Sequence, residues 1–358
     1  RRLFVNTLTV LFLMLITFGF LSSLGESFFD SDKVETEDQI LYLEPKGVIV
    51  DKAILTNNPF EEFEIFESSI NQIELESFLK IIKTAGTDDD LKAIYLDVDG
   101  LGAYYTSALK IADALYEARE NGKEIIAFTS GLGTTGYLMA SQATEIILEK
   151  DTYEPVLPFG FSRVRLYQKD FFENIKVNMN VYAAGDFKSG PEGYTRNDMS
   201  ETDKLAWLEF VTPIWEKYKS KMETGRSFES GRIQYIGDNY PLLASENGGD
   251  NNETALSTGL VDKLMSEQET RNYLVEKYGS EEKYERPPGI SGREYLSTLK
   301  DENISGKQKR VQEKNKIAII HVEGAIVTGD IGFNTAGSGG IVKKINKARD
   351  DENVKGII

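Results

Sequence analysis

The chain has 358 residues, a net charge of −17, no cysteine and one histidine, His321. This excludes disulfide scaffolds, thiolate nucleophiles, zinc ribbons and His-rich metal sites, and the acidic balance argues against a phosphate-backbone binder. An apolar share of 40% with 11% aromatics is that of a packed globular protein.

Residues 3–24 carry no charge and are dense in Leu, Phe, Val and Ile. At about 1.5 Å per residue they span the roughly 30 Å of a hydrocarbon core. Arg1 and Arg2 precede this run and Glu26, Asp30 and Asp32 follow it. By the positive-inside tendency the N-terminus stays cytoplasmic and the rest lies outside the cytoplasmic membrane. We assign residues 1–25 as a transmembrane anchor and 26–38 as a juxtamembrane linker. The rival reading is a cleaved signal peptide cut near Ser23 or Gly25, for which the apolar run is long.

Beyond the linker, residues 40–50 read as a strand, 73–84 as a helix, 91–98 as a strand, 107–121 as a helix and 124–129 as a strand. A Gly-rich turn at 130–136 leads into a helix over 137–143 and a short strand over 145–148. This alternation implies parallel βαβ crossovers, an α/β fold. A long helix follows over 201–224. Residues 279–315, charged and holding Pro287 and Pro288, read as a linker.

Residues 40–50 align with 317–327 at a separation of 277, and 90–95 align with 353–358 at a separation of 263. Two matches in the same order, with a shorter connection in the second, point to a duplicated domain. The expected organisation is a first domain over 39–278 and the start of a second copy over 316–358. With Arg at its first position and an apolar run at its last, the chain reads as a piece of a longer protein.

The general base, if there is one, comes from Lys, Asp, Glu or Tyr, because His321 sits in an alternating apolar run over 317–324 that reads as a strand. Lys188 stands out, between Phe187 and small residues, at the expected handover from a strand to a loop. A lysine in an apolar pocket loses ammonium solvation and serves as a base near neutral pH. On the residues alone, an ordinary solvated lysine is the commoner outcome.

The segment 183–200 resembles the lysine motif of the signal peptide peptidase A family, also called protease IV. It matches at Gly185, Lys188, Ser189, Glu192, Arg196, Met199 and Ser200, has aromatics at Phe187 and Tyr194, and departs at Gly190, Pro191 and Gly193. Residues 255–262 resemble the family's Ala-x-x-x-Gly-Leu-Val-Asp element, and 137–141 resemble a family helix. The resemblance implies a Clp protease/crotonase-like superhelical α/β fold, duplicated behind a transmembrane helix. It also implies a Ser/Lys dyad with Lys188 as general base, supported by Ser189, Glu192 and Arg196, and needs no cofactor or metal. In long members the serine belongs to the second copy. Thr134 occupies or adjoins the matching turn in the first copy, either as a weak nucleophile or as a helix-capping relic. The 263-residue separation puts the serine near position 397, beyond residue 358.

The implied activity is a membrane-anchored serine endopeptidase on the outer face of the bacterial cytoplasmic membrane, degrading signal peptides left after secretory processing. A homo-oligomer, as a tetramer, is implied as well. Rival readings are an inactive anchored scaffold of the same fold and a crotonase-like acyl-CoA enzyme. Other features read as structural. Asp97 and Asp99 are capping or solvated acids, and 337–340 is a loop opening a helix with no strand ending on it. Tyr104, Tyr105, Trp207 and Trp215 are packing or subunit-contact residues.

Overall fold

The computed structural model describes residues 39–52, 72–279, 286–305, 315–322, 324–329 and 335–358. The expected anchor at 1–25 and linker at 26–38 lie outside them. Among the described residues no helix is long and apolar enough to cross a membrane.

The chain forms β1 (Gln39–Leu43), β2 (Gly47–Val50), β3 (Gln72–Glu74), α1 (Leu75–Ala85), β4 (Leu91–Asp97), β5 (Leu101–Ala103), α2 (Tyr105–Glu120), β6 (Glu124–Thr129), α3 (Thr134–Ala140) and β7 (Glu145–Glu149). It continues with α4 (Lys169–Asn174), α5 (Glu192–Thr195), α6 (Glu201–Gly225), α7 (Arg232–Glu246), α8 (Asn251–Ser257), β8 (Lys263–Met265), α9 (Glu267–Tyr278), β9 (Gly289–Ser291) and α10 (Gly292–Ser305). The last elements are β10 (Lys316–Ala318), β11 (Ala325–Val327), β12 (Thr335–Gly337), α11 (Ser338–Asp350) and β13 (Val354–Ile357).

A six-stranded parallel sheet in the order β8-β7-β6-β4-β1-β9 is the centre of the molecule. Its inner strands are near-continuous apolar runs because both faces are covered. One face packs Leu41, Ile94, Ile125 and Ile146 against α1, α2 and α3; the other packs Tyr42, Tyr95, Phe128 and Ile147 against Leu274 of α9. In α1 the buried residues Leu75, Phe78, Ile81, Ile82 and Ala85 follow the helical period. A smaller parallel sheet, β3-β2-β5, lies beside it. The chain thus repeats a large-sheet strand, a small-sheet strand and a helix. In the third turn the small-sheet strand shrinks to a single parallel bridge between Leu132 and Val156.

Several boundaries differ from the expected ones. The single strand expected over 40–50 is two, β1 and β2, in different sheets. Pro45 cannot donate to a ladder and Gly47 takes φ 141°, so the chain turns there. The expected linker contributes β9, whose buried Ile290 pairs it onto β1, and α10, which packs on α1. The strand expected around His321 stops at Ala318, leaving His321 exposed. A strand, β12, does end on Gly337, and residues 338–340, expected as a loop, form the first turn of α11.

The terminal elements repeat the first ones in detail. β1 pairs with β4 as Gln39↔Leu91 and Ile40↔Ala93, with a register shift between them; β10 pairs with β13 as Lys316↔Val354 and Ile317↔Gly356, with a shift at the same place. Val48↔Gln72 likewise answers Ala325↔Thr335. The separations are again 277 and 263.

Candidate active site

Lys188 is exposed, in a stretch over 175–191 that holds neither helix nor strand. The strand expected before it does not form. Residues 177–181 alternate apolar and polar, yet no neighbouring strand among the described residues offers a ladder, and Val181 and Tyr182 stay exposed. The apolar pocket expected around the lysine is likewise not formed: Phe187 beside it is 64% exposed.

The loop that follows Lys188 is firmly tied down. Arg165 donates to the carbonyls of Ser189 (2.5 Å) and Gly190 (2.6 Å). Arg163 and Arg165 both reach the buried carboxylate of Asp203, at 3.1 and 3.4 Å. Burial alone would raise Asp203, but hydrogen bonds from Ser189 and Arg163 and the two guanidinium charges outweigh it and hold the carboxyl below its usual range. Glu192 accepts from the Ser200 hydroxyl (2.5 Å) and amide (3.2 Å), while Ser200 caps α6 by accepting from the Asp203 amide at 3.1 Å. Arg196 pairs with Asp198 at 2.8 Å on the surface. Tyr194 packs edge-on against Phe172, and Asn197 donates to Asp170 of α4 at 2.5 Å. Ser189, Glu192 and Arg196 therefore shape the loop, and Lys188 stands at its exposed entry. The Arg163 and Arg165 pair and Asp203 were not singled out from the sequence; the i, i+2 spacing of the two arginines is the signal they left.

The second element is the Gly-rich turn between β6 and α3. Asp99 organises it, accepting from the Thr129 hydroxyl (2.7 Å) and the Ser130 amide (2.9 Å), while the Asp99 amide donates to Asp97 (2.9 Å). These are the capping roles expected of the two acids. A groove of about 510 Å³ opens between Gly100, Leu101 and Gly102 on one side and residues 130–133, Thr135 and Gly136 on the other. Lys188 does not line it. Thr134 is not the N-cap: Gly133 holds that position, and the Thr134 hydroxyl donates to the Gly160 carbonyl at 2.8 Å. The helix also starts three residues earlier than expected, because the Tyr137 amide already donates to the Gly133 carbonyl. Residues 255–262 seal the core behind the turn. Tyr137 donates to the Leu260 carbonyl (3.1 Å), and Arg226 holds Asp262 through two bonds of 2.7 and 2.8 Å.

The sequence profile described as peptidase family S49 matches residues 117–279. The chain is 28% identical to protease 4 of Salmonella typhi over 367 aligned positions, covering 100% of this chain and 56% of that protein. It is 28% identical to protease 4 of Haemophilus influenzae, covering 77% of this chain and 44% of that protein. Similarity to the chloroplastic serine protease SPPA of Arabidopsis thaliana is 22% over 299 positions, 82% of this chain and 41% of that protein. The chain spans about half the length of the curated relatives it matches. The lysine loop, the Gly-rich turn and residues 255–262 all fall inside the matched region, so residues 117–279 carry the features of a peptidase family S49 domain, and the chain as a whole is similar to protease 4 and SPPA.

Proposed function

We propose that this chain is part of a membrane-anchored serine endopeptidase that uses a Ser/Lys dyad, with Lys188 as general base. The observation that carries the reading is a loop locked by Arg165, Asp203 and the Glu192–Ser200 pair while the lysine at its entry is left open to a partner surface. A positioned base needs a rigid support, since small misplacements cost orders of magnitude in rate. Neutral lysine would take the proton of a serine hydroxyl, the alkoxide would attack a peptide carbonyl, and amides of a Gly-rich turn would hold the oxyanion. The turn in this copy carries Thr134 with its hydroxyl engaged to Gly160. The serine is assigned to the matching turn of a second copy, near position 397 of the complete protein. The repeated strand registers and their common separations support a duplicated Clp protease/crotonase-like fold.

Substrates would be signal peptides left after secretory processing, met at the outer face of the bacterial cytoplasmic membrane, and the complete protein would be a homo-oligomer. Apolar side chains exposed around the lysine loop, among them Val164, Leu166, Tyr182 and Phe187, support a covering partner. The test is Lys188→Ala in the complete protein with a fluorogenic peptide. Cleavage is expected to fall by at least about 10³-fold; activity near that of the parent protein would sink the assignment.

A further inference from the structure

On the face of the large sheet covered by α9, a cavity of about 320 Å³ is lined by Tyr42, Glu44, Tyr95, Glu267, Thr270, Arg271, Leu274 and Arg286. It is separate from the lysine loop and from the Gly-rich turn. Tyr42 and Tyr95 form an aromatic floor, their rings 5.7 Å apart and inclined at 58°, with buried Leu274 as a wall. Thr270 is 1% exposed, and its hydroxyl has no hydrogen-bond partner among the described residues. Buried hydroxyls are almost always paired, so an unpaired one on a cavity wall points to a group that arrives from outside.

The rim carries two cations and two anions. Arg286 lies over the Tyr42 ring, 4.3 Å from its centroid, and approaches Glu44 only to 3.6 Å, too far for a hydrogen bond. Its donors toward the cavity are therefore not spent on Glu44. Arg271 pairs with Glu267. A lone anion or cation would meet a like charge at every approach, whereas a molecule bearing both charges matches the rim. An aromatic floor asks in addition for an apolar group. The volume sits at the small end of ligand cavities, roughly 300–1,000 Å³, and suits an amino acid better than an extended chain.

We propose that this cavity binds a small zwitterion with an apolar side chain, an amino acid of the leucine and phenylalanine class or a dipeptide of such residues. Its carboxylate meets Arg286 and the Thr270 hydroxyl, its ammonium meets Glu44 and Glu267, and its side chain lies on Tyr42 and Tyr95. The site stands whether or not the peptidase reading holds; where it does hold, such molecules are end products of peptide hydrolysis, and the cavity would sense them.

Isothermal titration of the complete protein tests this, with L-phenylalanine and leucyl-phenylalanine each taken to about 10 mM. Saturable binding is expected for at least one of them, and which one binds tells the free amino acid from the dipeptide. N-acetylphenylalanine and phenylalanine amide, each lacking one charge, are expected to bind at least about tenfold more weakly. Thr270→Val should weaken binding about tenfold while leaving Tm unchanged or higher, since no internal hydrogen bond is lost. Arg286→Gln should abolish saturation. Failure of both zwitterions to saturate, or equal binding by the acetylated and amidated forms, would overturn the proposal. Unchanged affinity in Thr270→Val would remove the hydroxyl from it.

Discussion

Asp203 shows how one buried carboxylate supports the loop after Lys188. Two guanidiniums and the Ser189 hydroxyl converge on it, and its own amide is capped by Ser200, so α6 and the loop after Lys188 are joined at a single residue. Asp203→Asn leaves two arginines without their counter-charge, at a cost of about 3 kcal/mol measurable by urea unfolding at pH 7. The folded-state carboxyl lies below its unfolded value of about 4. Its contribution is therefore present above that pH and is lost as the pH falls through the folded value. The gap between the variant and the parent should narrow as the pH falls below about 4, and a gap that stays constant through that fall would refute the charge argument. On the proposed Ser/Lys reading, the same variant in the complete protein should lower kcat more than it raises KM, because it would loosen the support of Lys188 and not a substrate contact.

At the scale of elements, two joints decide where the chemistry-bearing turns sit. Ser200 begins α6 and also holds Glu192 of α5, so Ser200→Ala should cost about 1 kcal/mol through the cap, with an added loss from the unpaired Glu192. A thermal melt within error of the parent's would contradict this. Helix α1 packs Ile82, fully buried, between the large sheet and α2, and Ile82→Ala is expected to cost about 3 kcal/mol of unfolding free energy. Helices and central strands were legible because their periods are imposed by burial: α1 shows the 3.6 period, and β4, β6 and β7 show the apolar runs of a sheet covered on both faces. The split of residues 39–50 into two sheets was not legible, since both halves are apolar and only packing says that they belong to different layers. The same holds for β9. Its Gly-Ile-Ser run looks like linker, and Gly289 is required because the Tyr42 ring leaves no room for a side chain there.

At the scale of the whole molecule, many apolar side chains between Val164 and Phe210, the segment that holds the lysine loop, are exposed, with Val164 at 95% and Tyr182 at 97% exposure. A surface of that kind is usually covered in the assembled protein. Val164→Glu combined with Leu208→Glu should lower the mass of the complete protein in sedimentation without lowering its Tm. An unchanged mass would show that this face is not a subunit contact.

The sequence by itself determined the α/β alternation and the motif-bearing segment around Lys188, because local period and motif are written in consecutive residues. The repeat was read at separations of 277 and 263, and the strand registers return the same two values. Only the tertiary structure decided that Lys188 is exposed, that Arg163, Arg165 and Asp203 support its loop, and that Thr134 spends its hydroxyl on Gly160. These partners lie between 24 and 40 positions apart in the chain. Contacts at that range follow from how helices and strands pack, and no local pattern in the sequence encodes them.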